Sequence, residues 1–465
     1  MMILVLAWRS LRLRPLRSAV LAGGFGLGVA VMAVLLGVAA VILEQARAPE
    51  LVGGGDVIVD GASGRLSNAE FVLSAVLREG PLASRVAAAA PTESASLYLI
   101  DDQGATPVRA RGGIPSLERA LGDPETSPFS SWLDTPADAA WAMPNATDVL
   151  LAMDRFHPIP DVPERAASWA EWLYFNGRAG DAGFYLTFLA GPRLPSGRRV
   201  LGVRLQLDRA GRMTSYSEST EVDEADLLAS APNLTVGRSH VRLVGREYHL
   251  TIDLPPESGR TRATGSLVLH ATPGRSLPPL AIRGAAGWIS GYVVPVMGGT
   301  LEGAIQVGAD RVRFDSSVGY HDHNWGFWKD VSWQWGQVQG DGLSFVYGRI
   351  RPPADAADES RIPAFLVALG PEGPIGYATD VSIKETNEAG SDRPRRIVVD
   401  ARADSLALTM NLDVVQTEVT RSLPGPFGGK LDFLQMRARY HVAGRAGGTP
   451  VDFTAPGSAE TFRGR

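Results

Sequence analysis

From about residue 165 onward, apolar and polar residues alternate in short runs separated by turn residues. "EWLYFNG", "GFYLTFLAG", "RRVLGVRLQLDRAG", "SHVRLVGREYHLTIDLP" and "RVRFDSSVGYHDHNWGFW" are the clearest of a first set. A period of two places successive side chains on opposite faces, so these runs predict strands of antiparallel sheets. The pattern restarts after Trp328 with "VSWQWGQVQGDGLSFVYGRIRP", "IPAFLVALGPEG" and "LALTMNLDVVQTEV". Two successive β units are expected, residues 151–328 and 329–465, each an antiparallel barrel or sandwich. No long helix is expected after residue 165.

The chain ahead of them reads differently. "SNAEFVLSAVLREGPLASRVAAAA" opens on Ser-Asn and continues with apolar residues at helical spacing. "GGGDVIVDG" and "ASLYLIDDQGATPVRARGG" read as short strands with turns, and "LGDPETSPFSSWLDTPADAAWAMPNATD" as a linker. Residues 44–150 are therefore expected to form a small α+β connector. Ala19 to Leu43 contains no charged residue. As a helix it would span roughly 37 Å, enough for a hydrocarbon core of ~30 Å. Arg9, Arg12, Arg14 and Arg17 precede it, and Glu44, Arg47 and Glu50 follow. This predicts a basic cytoplasmic segment (1–18), a transmembrane helix (19–43) and an exported remainder: a single-pass protein of a bacterial inner membrane with periplasmic C-terminal domains. "LAWRSLRLRPLRSAV" resembles the opening of ABC-transporter permeases of the MacB/FtsX type. No second uncharged run of that length exists, so the chain is not itself such a permease. The resemblance implies work beside an ABC permease and ATPase pair.

Charge and cysteine usage narrow the chemistry. The 465 residues carry 45 Lys and Arg against 50 Asp and Glu, a net charge of −5, without the basic excess of a nucleic-acid binder. There is no cysteine, which excludes disulfides, thiolate nucleophiles and Cys-ligated zinc.

The densest group of reactive side chains is "VGYHDHNWGFW", residues 318–328. On a strand, His321, His323 and Trp325 share one face, while Tyr320, Asp322 and Asn324 share the other. Three readings are open. A metal could take both histidines, but it needs a third ligand, and His157, His240, His249, His270 and His441 show no paired spacing. An acid–base site could use histidine as the proton shuttle, or a carboxyl raised by an apolar pocket, with Trp325, Trp328, Trp333 and Trp335 lining a cavity or facing a carbocation. A polar knot bonded to itself and to backbone in a β core needs neither.

"GYHDHNWG" together with "EWLYFNG" and Tyr185–Phe188 resembles the carotenoid 1,2-hydratase (hydroxyneurosporene synthase) family and the lipocalin-like proteins encoded beside ABC transporters; "GSAETFRG" is similar to the family's closing segment. The resemblance covers roughly residues 150–465 and implies two tandem lipocalin-like β-barrels with an apolar, often isoprenoid, ligand. It also implies that His323 and Trp325 lie at the site, with Tyr347 on the following strand. The family's acid then falls on Arg349, which cannot donate a proton at ordinary pH. Asp322, Asp341 or Asp380 is left to supply one. The candidate catalytic residues are thus His323, Asp322 and Tyr347. Trp172, Tyr174, His321, Trp325, Trp328, Trp333, Trp335 and Arg349 are the candidate ligand-binding residues. No metal and no cofactor is expected. The expected function is binding of a long apolar molecule, isoprenoid or lipid, in support of an ABC-type exporter. The alternative is acid-catalysed addition of water across a terminal isoprenoid double bond.

Overall fold

The computed structural model describes residues 69–74, 85–101, 104–122, 131–142, 146–209, 211–272, 275–371, 373–422 and 431–464, with residues 16 and 57–59 besides. The described chain is mainly β, every paired strand antiparallel to its neighbour, and falls into two compact units. One unit holds a hairpin, β1 (Thr92–Asp101) and β2 (Gly104–Gly113), followed by α1 (Pro115–Leu121). Gly122, at φ 78°, ends that helix in the left-handed conformation that glycine takes without penalty.

The other unit carries two sheets. The first comprises β3 (Trp169–Ala179), β4 (Ala182–Arg193), β5 (Arg199–Arg209), β6 (Arg212–Val222), β7 (Leu234–Val236), β8 (Ser239–Val244), β9 (Glu247–Leu254), β10 (Ala263–His270), β11 (Leu277–Arg283), β12 (Ile289–Val307), β13 (Asp310–Arg313) and β14 (Ser317–Phe327). Its main path runs β6-β5-β4-β3-β14-β12-β10-β9-β8-β7. The ring nearly closes: Ser217 N–H donates to Pro255 O at 3.2 Å and Glu257 N–H to Ser215 O at 2.9 Å. The second sheet comprises β15 (Ser332–Gly340), β16 (Leu343–Arg351), β17 (Phe365–Gly370), β18 (Gly373–Ala378), β19 (Asp380–Asn387), β20 (Pro394–Ala403), β21 (Leu406–Ser422), β22 (Leu431–Ala446) and β23 (Thr449–Gly464). It runs β18-β17-β16-β15-β23-β22-β21-β20-β19, curled into a half-barrel.

Burial along the strands shows how the sheets are stacked. Peripheral β9 alternates strictly between buried and half-exposed, as one-sided packing requires. In β3, β14 and β15 the middle is buried on both faces. One face of β3 and β14 lines the first barrel, around Leu173, Phe175, Phe188 and Tyr248. The other packs against the second sheet through Tyr174, Tyr320, Trp335 and Val346. The far face of the second sheet has its own core of Tyr347, Leu366, Met410 and Tyr440. On the barrel face Gly291 makes room for Trp325, its partner in the register: a Cβ there would come within 2.0–2.4 Å of the indole atoms.

Two expectations are corrected. Among the described residues no helix is long and apolar enough to cross a membrane, so the single-pass inner-membrane placement does not stand in this structure. The segment Ala19–Leu43 itself lies outside the described residues. The Pro- and Asp-rich stretch read as a linker, residues 121–148, contains the helix Pro136–Ala142 and the start of α2 (Ala146–Met153); beyond it, Leu150 of α2 reaches into the first barrel's core together with Phe156.

Candidate functional site

β14 separates two sets of buried polar side chains, one on each face. Its register with β3 sets which residues meet: His321 pairs with Phe175, Asp322 with Tyr174, His323 with Leu173 and Trp325 with Glu171.

Inside the first barrel, His321 and His323 are fully buried. Each has Nδ1 on a backbone carbonyl, Tyr174 O and Met153 O, both at 3.0 Å. Each has Nε2 on a buried carboxylate: Asp154 Oδ2 for His321 and Glu171 Oε1 for His323, both at 2.9 Å. A carbonyl only accepts, so Nδ1 carries a proton in both rings. A proton must then also lie on each Nε2–carboxylate line. Tyr248 donates its hydroxyl to Asp154 Oδ2 at 2.5 Å. Glu171 accepts from the His157 backbone at 3.0 Å and meets His157 Nδ1 at 2.7 Å. Burial pushes the His323 imidazolium down, but the Glu171 carboxylate, with Asp154 beyond, outweighs it and the net direction is up. Burial likewise opposes ionisation of Glu171, and the two histidines overcome it, leaving that carboxyl below its usual range. Trp325, on this face too, stacks on His157 at 4.4 Å.

Between the two sheets lies the second set. Trp335 Nε1–H donates to Tyr292 Oη at 2.9 Å, the Tyr292 and Tyr320 hydroxyls are 2.7 Å apart, and Tyr320 donates to Asp322 Oδ2 at 3.0 Å. Asn324 Nδ2–H donates to Asp322 Oδ1 at 2.9 Å. Burial raises Asp322 well above the usual carboxylate range, and the nearby Glu460 adds to it. Glu460, on β23, is raised by burial to about 7, against the pull of the polar groups of Tyr174, Gln435 and Trp333. Two of them approach without completing hydrogen bonds: Tyr174 Oη and Gln435 Nε2, like Glu460 Oε1, are shut from solvent and have no partner in the chain. Tyr185 Oη and Ser458 Oγ are in the same condition. Aromatic faces surround them, Trp172 against Trp328 at 4.7 Å and Tyr174 edge-on to Trp335 at 5.8 Å.

The residues singled out in the sequence therefore occupy three places. His321, His323 and Trp325 point into the first barrel with its cap. Asp322, Trp172, Tyr174, Trp333 and Trp335 face the seam, and Trp328 packs beside them with its Nε1–H on Ala170 O at 2.8 Å. Tyr347 lies in the second sheet's far core beside Tyr440, its hydroxyl raised by burial. Arg349 follows it at the same-face position, with its Nε buried and unpartnered. Asp341 and Asp380 are exposed. Spacing did not reveal Asp154, His157, Glu171 or Glu460, because pairing across more than a hundred residues brings them in. Glu171 and Glu460 sit inside the two quoted motifs, "EWLYFNG" and "GSAETFRG", and those motifs are the only sequence signal for them.

No family model and no curated protein matches the chain. Among solved structures it is similar to a Nitrosomonas europaea protein provisionally named AttH, with 14% identity over 63% of this chain and 91% of that one and a TM-score of 0.43. It is also similar to CghA with Sch210972 (13% identity, 66% and 94%, TM-score 0.42). A third similar structure is kievitone hydratase from Nectria haematococca (12% identity, 65% and 93%, TM-score 0.39).

Proposed function

We propose that the chain is a hydratase-type lyase that adds water across a carbon–carbon double bond of an apolar, isoprenoid-like substrate in the seam between the sheets. The observation that carries this is Glu460: a carboxyl near half-protonation at neutral pH, walled by aromatic rings and beside polar groups the fold leaves without partners. An acid poised at the working pH is the best compromise between holding a proton and giving it up. The protonated carboxyl gives its proton to the less substituted alkene carbon, leaving a tertiary cation beside the new carboxylate. The faces of Trp335, Tyr174 and Tyr320 suit that cation, since a ring quadrupole attracts positive charge. Water adds to the cation and loses a proton to Glu460, which restores the acid. In this reading Tyr174 Oη and Gln435 Nε2, both without partners in the chain, hold that water. The motif resemblance to the carotenoid hydratases supports the reaction type.

The test is incubation with acyclic isoprenoids bearing a terminal trisubstituted alkene, in deuterated water. A product heavier by one molecule of solvent, with deuterium on the former alkene CH carbon beside the new tertiary alcohol, is expected. Glu460→Gln should lower its rate by about 10²–10⁴-fold. If the alkenes bind, as shown by tryptophan fluorescence, but none is hydrated, the chain is a carrier and the proposal is overturned.

A further inference from the structure

The group on the opposite face of β14 has a separate use. We propose that His157, Glu171 and His323 bind a divalent transition-metal cation of the zinc class. Their donor atoms all lie within 4.8 Å of one another. His157 Nδ1 is 2.7 Å and His323 Nε2 2.9 Å from Glu171 Oε1. The Met153 carbonyl fixes one proton of His323 on Nδ1, so a cation that displaces the proton shared by Nε2 and Glu171 meets the Nε2 lone pair beside the carboxylate. His157 is held close by its own backbone N–H on Glu171, and its side chain is 41% exposed. Protonated on the outward Nε2, it presents a second lone pair to the same point. Two imine nitrogens and one carboxylate oxygen then converge on a spot that only a cation can occupy.

The surroundings fit that use. A metal-bound imidazole usually gives its other N–H to a carbonyl or carboxylate, which is the role of Met153 O here. Zinc bonds of ~2.0–2.2 Å need donor atoms about 3.3 Å apart, so the group must open by about half an ångström. His157 can supply this by turning outward, since it precedes β3 and is half in solvent, while Glu171 and His323 stay fixed in paired strands. That same exposure leaves a fourth position open to water. Arg199 is near enough for its charge to feel Glu171, but its Nε is bonded to Gly191 O at 2.8 Å. It weakens the attraction for a cation without filling the place.

The probes are Zn²⁺ by calorimetry and Co²⁺ by visible absorption, on the chelator-treated full chain. One saturable site per chain with the intense bands of four-coordinate cobalt is expected. His157→Ala should weaken binding at least tenfold while the metal-free variant keeps a cooperative thermal transition. Glu171→Gln should abolish it. The control is the surface group of His249, Glu247 and His270, whose ring nitrogens lie 3.0 and 3.2 Å from Glu247 oxygens. His249→Ala should leave binding as it was. No saturation at millimolar Zn²⁺, full binding in His157→Ala, or loss in His249→Ala would each overturn the assignment. Should Glu171→Gln fail to fold, His157→Ala, at a half-exposed position, still decides it.

Discussion

Glu171 and Glu460 show how burial and partnership divide two similar side chains. Glu171 is enclosed with two histidines and a backbone N–H, so its charge is answered on every side. Removing that charge leaves His323 without its counterion in a fully buried place. Glu171→Gln is expected to cost about 3–5 kcal/mol of stability, read from denaturant midpoints at constant slope. Glu460 is enclosed without such partners, and its folded-state pKa rises from 4.5 to about 7. The protonated form is thus the one folding favours. Its stabilisation is complete below pH 4.5 and is lost as pH rises through about 7, roughly 3 kcal/mol in all. Glu460→Gln should flatten this part of the stability profile and make the variant more stable than the parent at pH 8. A variant whose profile keeps the parent's slope between pH 5 and 8 would show that another group is responsible.

At the scale of elements, β14 is the piece that matters most, and its pattern was legible. Strand alternation alone separates His321, His323 and Trp325 from Tyr320, Asp322 and Asn324, and the structure places them on opposite faces. What alternation cannot supply is the element across the gap. Asp154 directly follows α2, in residues that read only as the opening of the first β unit; Glu171 comes from β3, directly before the more conspicuous Trp172. Likewise the near-continuous burial of β3 and β14 comes from being covered twice, a property of stacking that no single strand encodes. Gly291 on β12 is a local requirement of the barrel face, since Trp325 lies over it. Gly291→Val should displace that ring at a cost of about 1–3 kcal/mol, with a changed near-ultraviolet circular dichroism signal from the tryptophans. An unchanged spectrum would mean the indole has another place to go.

At the scale of the molecule, the two sheets share the seam as a common core. Gln337 Nε2–H donates to Asn176 Oδ1 at 3.0 Å across it, and Trp335 packs with Tyr174 and Tyr320. Residues 329–465 produced alone would turn Trp333, Trp335 and Glu460 out to water. That fragment is expected to bind hydrophobic dyes and to lack the sharp thermal transition of the whole chain. A fragment that melts cooperatively and binds no dye would show that the second sheet is self-sufficient. The placement of Asp322 and His323 also bears on how this protein could change over time. Neighbours in sequence, they share no hydrogen-bond partner, whereas His323 and Glu171, 152 positions apart, bond to each other directly. Substitutions at 322 and 323 should therefore combine almost additively, and those at 171 and 323 should not. Selection could remodel the chemistry on one side of this strand while the other side keeps its own history.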